Sequence, residues 1–233
     1  MMRGIRSWAI AILFLAHLVS VANAQRCTVP LVGFGPVDPA DGFPQYYLDA
    51  NNLGLAQCLD FVCDPALPVP DPNQPVSFPN NFPDEFFYQR AIANMTGPNG
   101  ETFLLNLALE GSFINAPTVA NGDQVVFTRV RVRATGVVPG AVYTVTHPFG
   151  VETLRADGVP PVVINFTRDI GRIPLAFATA LNADVGPFLT FLAGAVPPPP
   201  GTIGNPAANQ TVTGSPCGTN FFRVEGPGLP PGG

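Results

Sequence analysis

The stretch FTRVRVRATGVVPGAVYTVTHPFGVETLRADG, residues 127–158, predicts the fold. Its β-branched residues alternate with polar ones, which is typical of strands with one face in a core. Similar segments lie on both sides, TFLLNLALEGSF before it and PPVVINFTRD after it, and NG, PG and DG mark the joins. Strands at this spacing indicate a sandwich. We therefore predict an all-β protein, with an immunoglobulin-like antiparallel β-sandwich over residues 101–226.

Residues 25–100 differ from this pattern, because they are dense in proline and carry eight acidic residues against Arg26 and Arg90. Proline lacks a backbone donor and disfavours helical geometry in the residue before it, so regular helices are not expected here. YYL and LAQCL flank a run of turn residues, Asp49 to Gly54, and predict a hairpin. We predict a Pro-rich, acidic, irregular extension that packs on the sandwich.

The segment PLAFATALNADVGPFLTFLAGAV, residues 174–196, has apolar spacing that suits one or two short helices. A strand is the alternative for so apolar a run. A last strand is expected in TGSPCGTNFFRVEGPG, and residues 227–233 are predicted to be a flexible tail with nothing to bury.

Residues 1–24 are typical of a secretory signal peptide. A basic start with Arg3 and Arg6 precedes an apolar run, and Ala22-Asn23-Ala24 has the small-x-small pattern of a cleavage site. The apolar run is too short for a membrane anchor. The sequence therefore predicts a secreted protein, periplasmic or extracellular, with no membrane association after cleavage of the signal peptide.

The charge of the chain bears on its partners. The formal net charge is −5, and removal of Arg3 and Arg6 with the signal peptide makes it −7. Binding to phosphate backbones needs concentrated positive charge, so nucleic acid is not an expected partner. The sequence contains no lysine, which excludes Schiff-base chemistry and a lysine general base.

Four cysteines, Cys27, Cys58, Cys63 and Cys217, form an even set that predicts two disulfides in an oxidising compartment rather than a metal site. Three pairings are compatible with the sequence. If Cys58 and Cys63 closed a local loop, Cys27 and Cys217 would tie the two ends together. Closing so long a loop would stabilise the fold by about 4 to 5 kcal/mol.

Three arginines alternate in one predicted strand, so Arg129, Arg131 and Arg133 project from one face while the intervening valines face the core. One interpretation is an anion-binding ladder for a carboxylate, a sulfate or an acidic glycan. The other is cross-strand pairing on a solvated sheet face. The carboxylates considered for that pairing are Glu152, Asp157, Asp169 and Glu225.

His147 is the single histidine after the signal peptide, and it precedes a proline at the end of a predicted strand. One imidazole without partners does not make a zinc site. Its role as a general base in a hydrolytic site is one hypothesis, and a turn-capping or partly buried hydrogen-bonding histidine is the other.

Three aspartates in the extension, Asp38, Asp41 and Asp49, are candidate oxygen ligands for a structural calcium ion. They lack the regular order of a dedicated calcium loop. No other cofactor or metal is expected.

Several motifs together resemble a family of uncharacterised secreted bacterial proteins with an immunoglobulin-like sandwich module. They are GFPQYYLDANNLGLAQCLD, SFPNNFPDEFFYQRA, VVFTRVRVRA, YTVTHPFGVE, INFTRDIG, DVGPFL and TGSPCGTNFFRVEGPG. The resemblance covers most of the chain after residue 24. It implies secretion and continuation into further extracellular modules in similar proteins, and it assigns no catalytic residue.

These observations favour a secreted non-enzymatic binding or structural module of the bacterial cell exterior. Its expected partners are an acidic ligand at Arg129, Arg131, Arg133 and His147, or other extracellular modules. The alternative is an extracellular hydrolase with a loop-borne site near His147.

Overall fold

The computed structural model describes residues 25–63, 68–194, 196–205 and 207–233. The predicted signal peptide, residues 1–24, lies outside them. About 38% of the described residues are in strands and 3% are in helix, so the prediction of an all-β protein is confirmed. None of the helices in the described ranges is long and apolar enough to span a bilayer.

The described chain forms thirteen strands and one short 3₁₀ helix, Phe177–Asn182. The strands are β1 (Gln25–Arg26), β2 (Gly33–Phe34), β3 (Tyr46–Leu48), β4 (Gly54–Ala56), β5 (Glu85–Thr96), β6 (Thr102–Phe113), β7 (Gln124–Thr135), β8 (Val142–His147), β9 (Gly150–Arg155), β10 (Val162–Ile170), β11 (Thr190–Phe191), β12 (Val212–Thr213) and β13 (Arg223–Glu225). The 3₁₀ helix lies in the segment predicted to hold one or two short helices.

Two four-stranded antiparallel sheets form the sandwich, with strand orders β1-β9-β8-β13 and β10-β7-β6-β5. This confirms the predicted antiparallel sandwich, while its immunoglobulin-like arrangement stays a prediction. The second sheet is dominated by β5, β6 and β7, which have twelve residues each. At about 3.3 Å per residue they extend for about 40 Å, well beyond the strands of the first sheet.

The inner face of the long strands packs against the first sheet over half of its length. Leu105 on β6 and Val130 and Val132 on β7 are buried against Tyr143 and Val145 on β8. These positions follow the alternation of a strand, in which every second side chain faces the core. The prediction that the valines of β7 face the core is therefore confirmed.

The Pro-rich segment covers the other half of the same inner face. Phe43 and Tyr47 pack with Phe86, Leu109 and Val126 of the long strands in a second apolar cluster. The ring of Phe86 lies so close to Gly111 that any side chain at residue 111 would collide with it. The two clusters share one sheet, so the extension completes a core that the sandwich alone leaves open.

Residues 25–100 contain five strands, β1 to β5. β3 and β4 pair around the turn at Asp49 to Gly54, which confirms the predicted hairpin. β5 lies before the predicted domain boundary at residue 100 and pairs with β6 along nearly its whole length. The run EFFYQRAIANMT that forms β5 contains no proline, so its backbone donors are available to the sheet.

The structure contains two disulfides, Cys27–Cys217 and Cys58–Cys63, with Cα atoms 5.2 and 6.0 Å apart. Cys27 directly follows β1, and Cys217 lies shortly before β13. Because β1 and β13 are the two edge strands of the first sheet, the long-range disulfide joins its opposite edges near the chain ends.

Candidate functional site

The three arginines of β7 lie on the outer face of the four-stranded sheet, on the side opposite the core. The cross-strand register fixes their neighbours on β6 and β10. The facing residues are Ala108 and Asp169 for Arg129, Asn106 and Thr167 for Arg131, and Leu104 and Asn165 for Arg133. The predicted common face of the arginines is therefore observed, but their surroundings differ sharply.

Arg129 is buried in a cluster of carboxylates, with 8% of its surface exposed. Its Nε and Nη2 donate to both oxygens of Asp169 at 2.8 Å, and its Nη1 donates to Glu110 at 2.9 Å. An oxygen of Glu85 lies 3.9 Å from the same Nη1. The expectation that the whole arginine face lies in solvent is wrong here, because three acidic side chains from three strands enclose this guanidinium.

Glu110 differs from an ordinary carboxylate, because only 1% of its surface is exposed. Burial, the neighbouring Glu85 and, less strongly, Asp169 raise the pKa of Glu110 to about 9, and the attraction of Arg129 offsets them only in part. Glu110 is therefore protonated at neutral pH. The carboxylate cluster around Arg129 then has no large excess of negative charge. Because the guanidinium donors of Arg129 are bonded to Asp169 and Glu110, they are not available to a ligand.

Replacing Glu110 by glutamine is expected to make stability less sensitive to alkaline pH. The pKa of Glu110 rises on folding from 4.5 to about 9. Such a carboxyl stabilises the fold fully below pH 4.5, its pKa in the unfolded chain, and this contribution is lost as the pH rises through about 9. Glutamine cannot ionise, so the variant should gain about 1 kcal/mol or more over the parent between pH 5 and pH 9. Urea unfolding across this range measures it, with Glu225→Gln as the surface control. Parallel pH curves for parent and Glu110→Gln would contradict the assignment.

Arg131 and Arg133 lack such neutralisation. Arg131 is half-buried, and its Nε donates to the hydroxyl of Thr167 at 3.2 Å. Arg133 is exposed. Within the described ranges neither guanidinium has a carboxylate within 4.0 Å. Burial, together with repulsion from Arg129 and Arg133, lowers the pKa of Arg131, so this part of the face has an excess of positive charge.

Asn106 adds an unused acceptor next to Arg131. Only 7% of Asn106 is exposed, and its Oδ1 accepts no hydrogen bond from the part of the chain that the structure describes. A buried polar atom without a partner is costly and is therefore uncommon in folded proteins. We define the outer strip as Arg131, Arg133, Asn106 and Thr167, a set in which the two arginines supply strong donors and the unpaired Oδ1 of Asn106 is itself buried.

His147 lies at the end of β8 with 1% of its surface exposed, away from the outer strip. Its Nδ1 accepts a hydrogen bond from the Phe149 backbone at 3.3 Å, and its Nε2 lies 3.5 Å from Glu152 Oε1. The hydroxyl of Ser215 donates to the carbonyl of Pro148. Nδ1 is engaged, Nε2 makes no hydrogen bond within the described ranges, and the ring is buried, so neither nitrogen is presented to a substrate at the surface. This is the geometry of a structural histidine.

A buried ion network surrounds His147, and the sequence analysis did not predict it. Arg168 on β10 donates to Glu152 at 2.6 Å and also to Asp184, while Arg26 lies 3.0 Å from Asp184. Burial alone would raise the pKa of Glu152, but hydrogen bonds and charges of His147 and Arg168 hold it at about 2. Glu152, one of the predicted cross-strand partners of the β7 arginines, pairs with Arg168 instead.

The three calcium candidates bind backbone groups of their own turns. Asp38 Oδ1 accepts from Ala40 N, Asp41 Oδ1 accepts from Phe43 N, and Asp49 Oδ1 accepts from Asn51 N and Leu53 N. The second oxygen of Asp49, which is fully buried, accepts from the backbone of Phe188 at 3.0 Å. In residues 25–63 and the other described ranges, no group of three or more His, Cys, Asp or Glu residues is placed to hold a metal ion.

A cleft of about 620 Å³ lies between β2 and the 3₁₀ helix, and Phe34, Val37, Leu175 and Phe177 line it. The amide of Gln124 at its wall is already bonded to the backbone at Asp41 and Gly122. None of the arginines, His147 or the aspartates predicted as ligands lines this cleft. It offers apolar surface without the charged groups that the sequence predicts for a site.

Comparison with known proteins adds no assignment to these residues. No family model matches the chain, and neither a curated protein nor a solved structure is significantly similar to it. The resemblance to secreted bacterial proteins stays a prediction.

Proposed function

We propose that this chain is a secreted, non-enzymatic binding module of the bacterial cell exterior that binds an acidic ligand at the outer strip. The observation that carries the proposal is the contrast along one strand. Arg129 is enclosed by three acidic side chains, whereas Arg131 and Arg133 have no described acidic partner. An anion bound at Arg131 and Arg133 would relieve their mutual repulsion and use their free donors.

The chemistry of the strip favours an acidic glycan over a simple anion. Arg131 and Arg133 are two residues apart on one strand, so their Cα atoms are separated by about 7 Å. They can therefore contact two anionic groups, or two oxygens of a large one. Between two such anionic groups a glycan carries hydroxyls, which Asn165 and Thr167 of β10, beside the two arginines, can bind. Asn165 and Thr167 are both exposed and extend the polar surface around the arginines.

The two disulfides support the extracellular part of the proposal. Disulfides form and persist in oxidising compartments, and every cysteine of the described chain is in one. The long-range disulfide closes the first sheet, which is the sheet opposite the outer strip, so the binding face keeps a fixed scaffold behind it.

Replacing both Arg131 and Arg133 by glutamine is expected to weaken binding of dextran sulfate at least tenfold. Hydrogen bonds to charged groups contribute about 1.5 to 3 kcal/mol each, and a tenfold change in affinity corresponds to about 1.4 kcal/mol. Isothermal titration at low ionic strength measures the affinity, with polygalacturonate as the carboxylate probe and neutral dextran as the uncharged one. The salt dependence of binding should also become shallower.

The matched control is Arg155→Gln combined with Arg223→Gln, which removes the same charge from exposed positions on the first sheet. It should retain the parental affinity. An equal loss in both double variants would show that net charge alone governs binding, and failure of the parent to bind either acidic polymer would refute the proposal.

A further inference from the structure

We propose that two copies of this chain pair through the outer edges of β5, antiparallel about a two-fold axis at Ile92. The two four-stranded sheets then form one continuous eight-stranded sheet. This goes beyond the proposed function, because it follows from strand pairing and not from the arginines.

The outer edge of β5 is the long uncovered edge of the sandwich. At its start the edge is covered, since the Cys58 backbone donates to the carbonyl of Phe87 at 3.0 Å. In the described ranges no strand pairs with that side of β5 from Ala91 to Thr96. Backbone donors and acceptors along an edge strand are a template for another strand.

The other edges are short or carry charges. β1 and β13 have only two and three residues. β10 is nine residues long, but it carries Arg168 and Asp169, and charged residues on an edge strand disfavour pairing. In the described ranges β5 is therefore the edge of the two main sheets that offers several consecutive residues without charge and without a strand partner.

The sequence of the uncovered segment lacks the usual devices against pairing. Residues 91–96, AIANMT, include no proline and no charged residue, and the bulge of β5 lies before them, between Phe87 and Gln89. Natural edge strands are usually blocked by lysine, proline, inward-pointing charges or bulges. Ile92 is also 46% exposed, so pairing with a second copy would cover apolar surface at the centre of this segment.

The edge is complementary to itself, which points to a second copy as the occupant. A two-fold axis at Ile92 places this residue against the partner's Ile92, and Ala91 against the partner's Ala93. Arg90, the charged residue nearest to the axis, then lies opposite the partner's Asn94 and away from the partner's Arg90. Contacts across such an axis are isologous, so each favourable pair occurs twice. No like charges face each other directly.

The dimer has a consequence for the outer strip that rests on the proposed function. β7 is the third strand from the shared edge, so the two copies of β7 are five strand spacings apart, or about 24 Å. Both outer strips lie on the same face of the continuous sheet. A single acidic polymer that reached both would bind more tightly than to one copy, without any new type of contact.

Sedimentation equilibrium of the purified protein, from about 1 to 500 μM, tests the pairing across the affinity range expected for reversible dimers. We expect a reversible monomer–dimer equilibrium for the parent and monomer at every concentration for Ile92→Lys, since two lysines would then face each other. Asn165→Lys is the matched control, because it places a lysine at an exposed position on the opposite edge strand, β10, and should behave as the parent.

A symmetric cross-link tests the position of the axis. Ile92→Cys should form a disulfide-linked dimer under mild oxidation, and Asn165→Cys should form no disulfide-linked dimer. Circular dichroism verifies that each variant keeps its strand content. A parent that stays monomeric throughout, a dimer that Ile92→Lys leaves intact, or an equal effect of Asn165→Lys would each overturn the proposal. A parent that dimerises but does not bind dextran sulfate would count against the proposed function alone.

Discussion

Replacing Arg168 by methionine is expected to destabilise the fold by about 3 to 5 kcal/mol, the cost of breaking a buried ion pair from one side. Methionine keeps much of the length of the side chain but removes every donor. Glu152 and Asp184, each 3% exposed, would then lose the guanidinium that both of them bind. Asp184 would retain Arg26, and Glu152 would retain only the imidazole of His147, 3.5 Å away.

The pH dependence of the stability loss distinguishes a broken ion pair from a simple loss of packing. The folded-state pKa of Glu152 is about 2, below its ordinary value of 4.5. A carboxyl with a lowered pKa stabilises the fold above its unfolded value, and the contribution is lost as the pH falls through the folded value. The deficit of Arg168→Met should therefore be largest above about pH 5 and shrink toward pH 2 to 3.

Urea unfolding from pH 3 to pH 7 measures both quantities, with Arg155→Met on the exposed part of β9 as the control. That control should stay within about 0.5 kcal/mol of the parent. Adding Glu152→Gln and Asp184→Asn to Arg168→Met should restore part of the loss, because neutral amides do not leave buried charges. A deficit below about 1 kcal/mol, or one independent of pH, would show that the network contributes little.

The strands were predictable from the sequence because their signal is local. Alternation in QVVFTRVRVRAT specifies which side chains of β7 share a face, and turn residues separate it from its neighbours. β5 was missed as a sandwich strand because the proline-rich runs before it dominate the composition of residues 25–100. The break in proline content over EFFYQRAIANMT was the available signal.

The environment of each arginine was not predictable, because it depends on cross-strand register. Glu110 is nineteen residues from Arg129 in sequence, and Asp169 is forty residues away. Alternation along one strand does not tell which positions of the next strand lie beside it. Arg168 gave a clearer signal. It neighbours Asp169 on a strand, so one of the two charges had to point inward and needed a buried partner.

Removing the long-range disulfide with Cys27→Ser and Cys217→Ser is expected to cost about 5 kcal/mol, against about 2 kcal/mol for Cys58→Ser and Cys63→Ser. The first pair closes a loop of 190 residues and the second a loop of 5, so the unfolded chain gains far more freedom when the first is lost. Urea unfolding of the two double variants gives the comparison, and equal losses would contradict the loop-entropy explanation.

The long-range disulfide should also be coupled to the ion network. β1 has only two residues, and one of them is Arg26, which binds Asp184. Loss of the bond at Cys27 would free this edge strand and withdraw a second cation from Asp184. Combining the Cys27 and Cys217 serine variant with Arg168→Met should therefore deviate from additivity by about 0.5 to 3 kcal/mol, as expected of groups that share a partner. Strict additivity would mean that Arg26 keeps its place without the disulfide, and that β1 is held by its pairing with β9 alone.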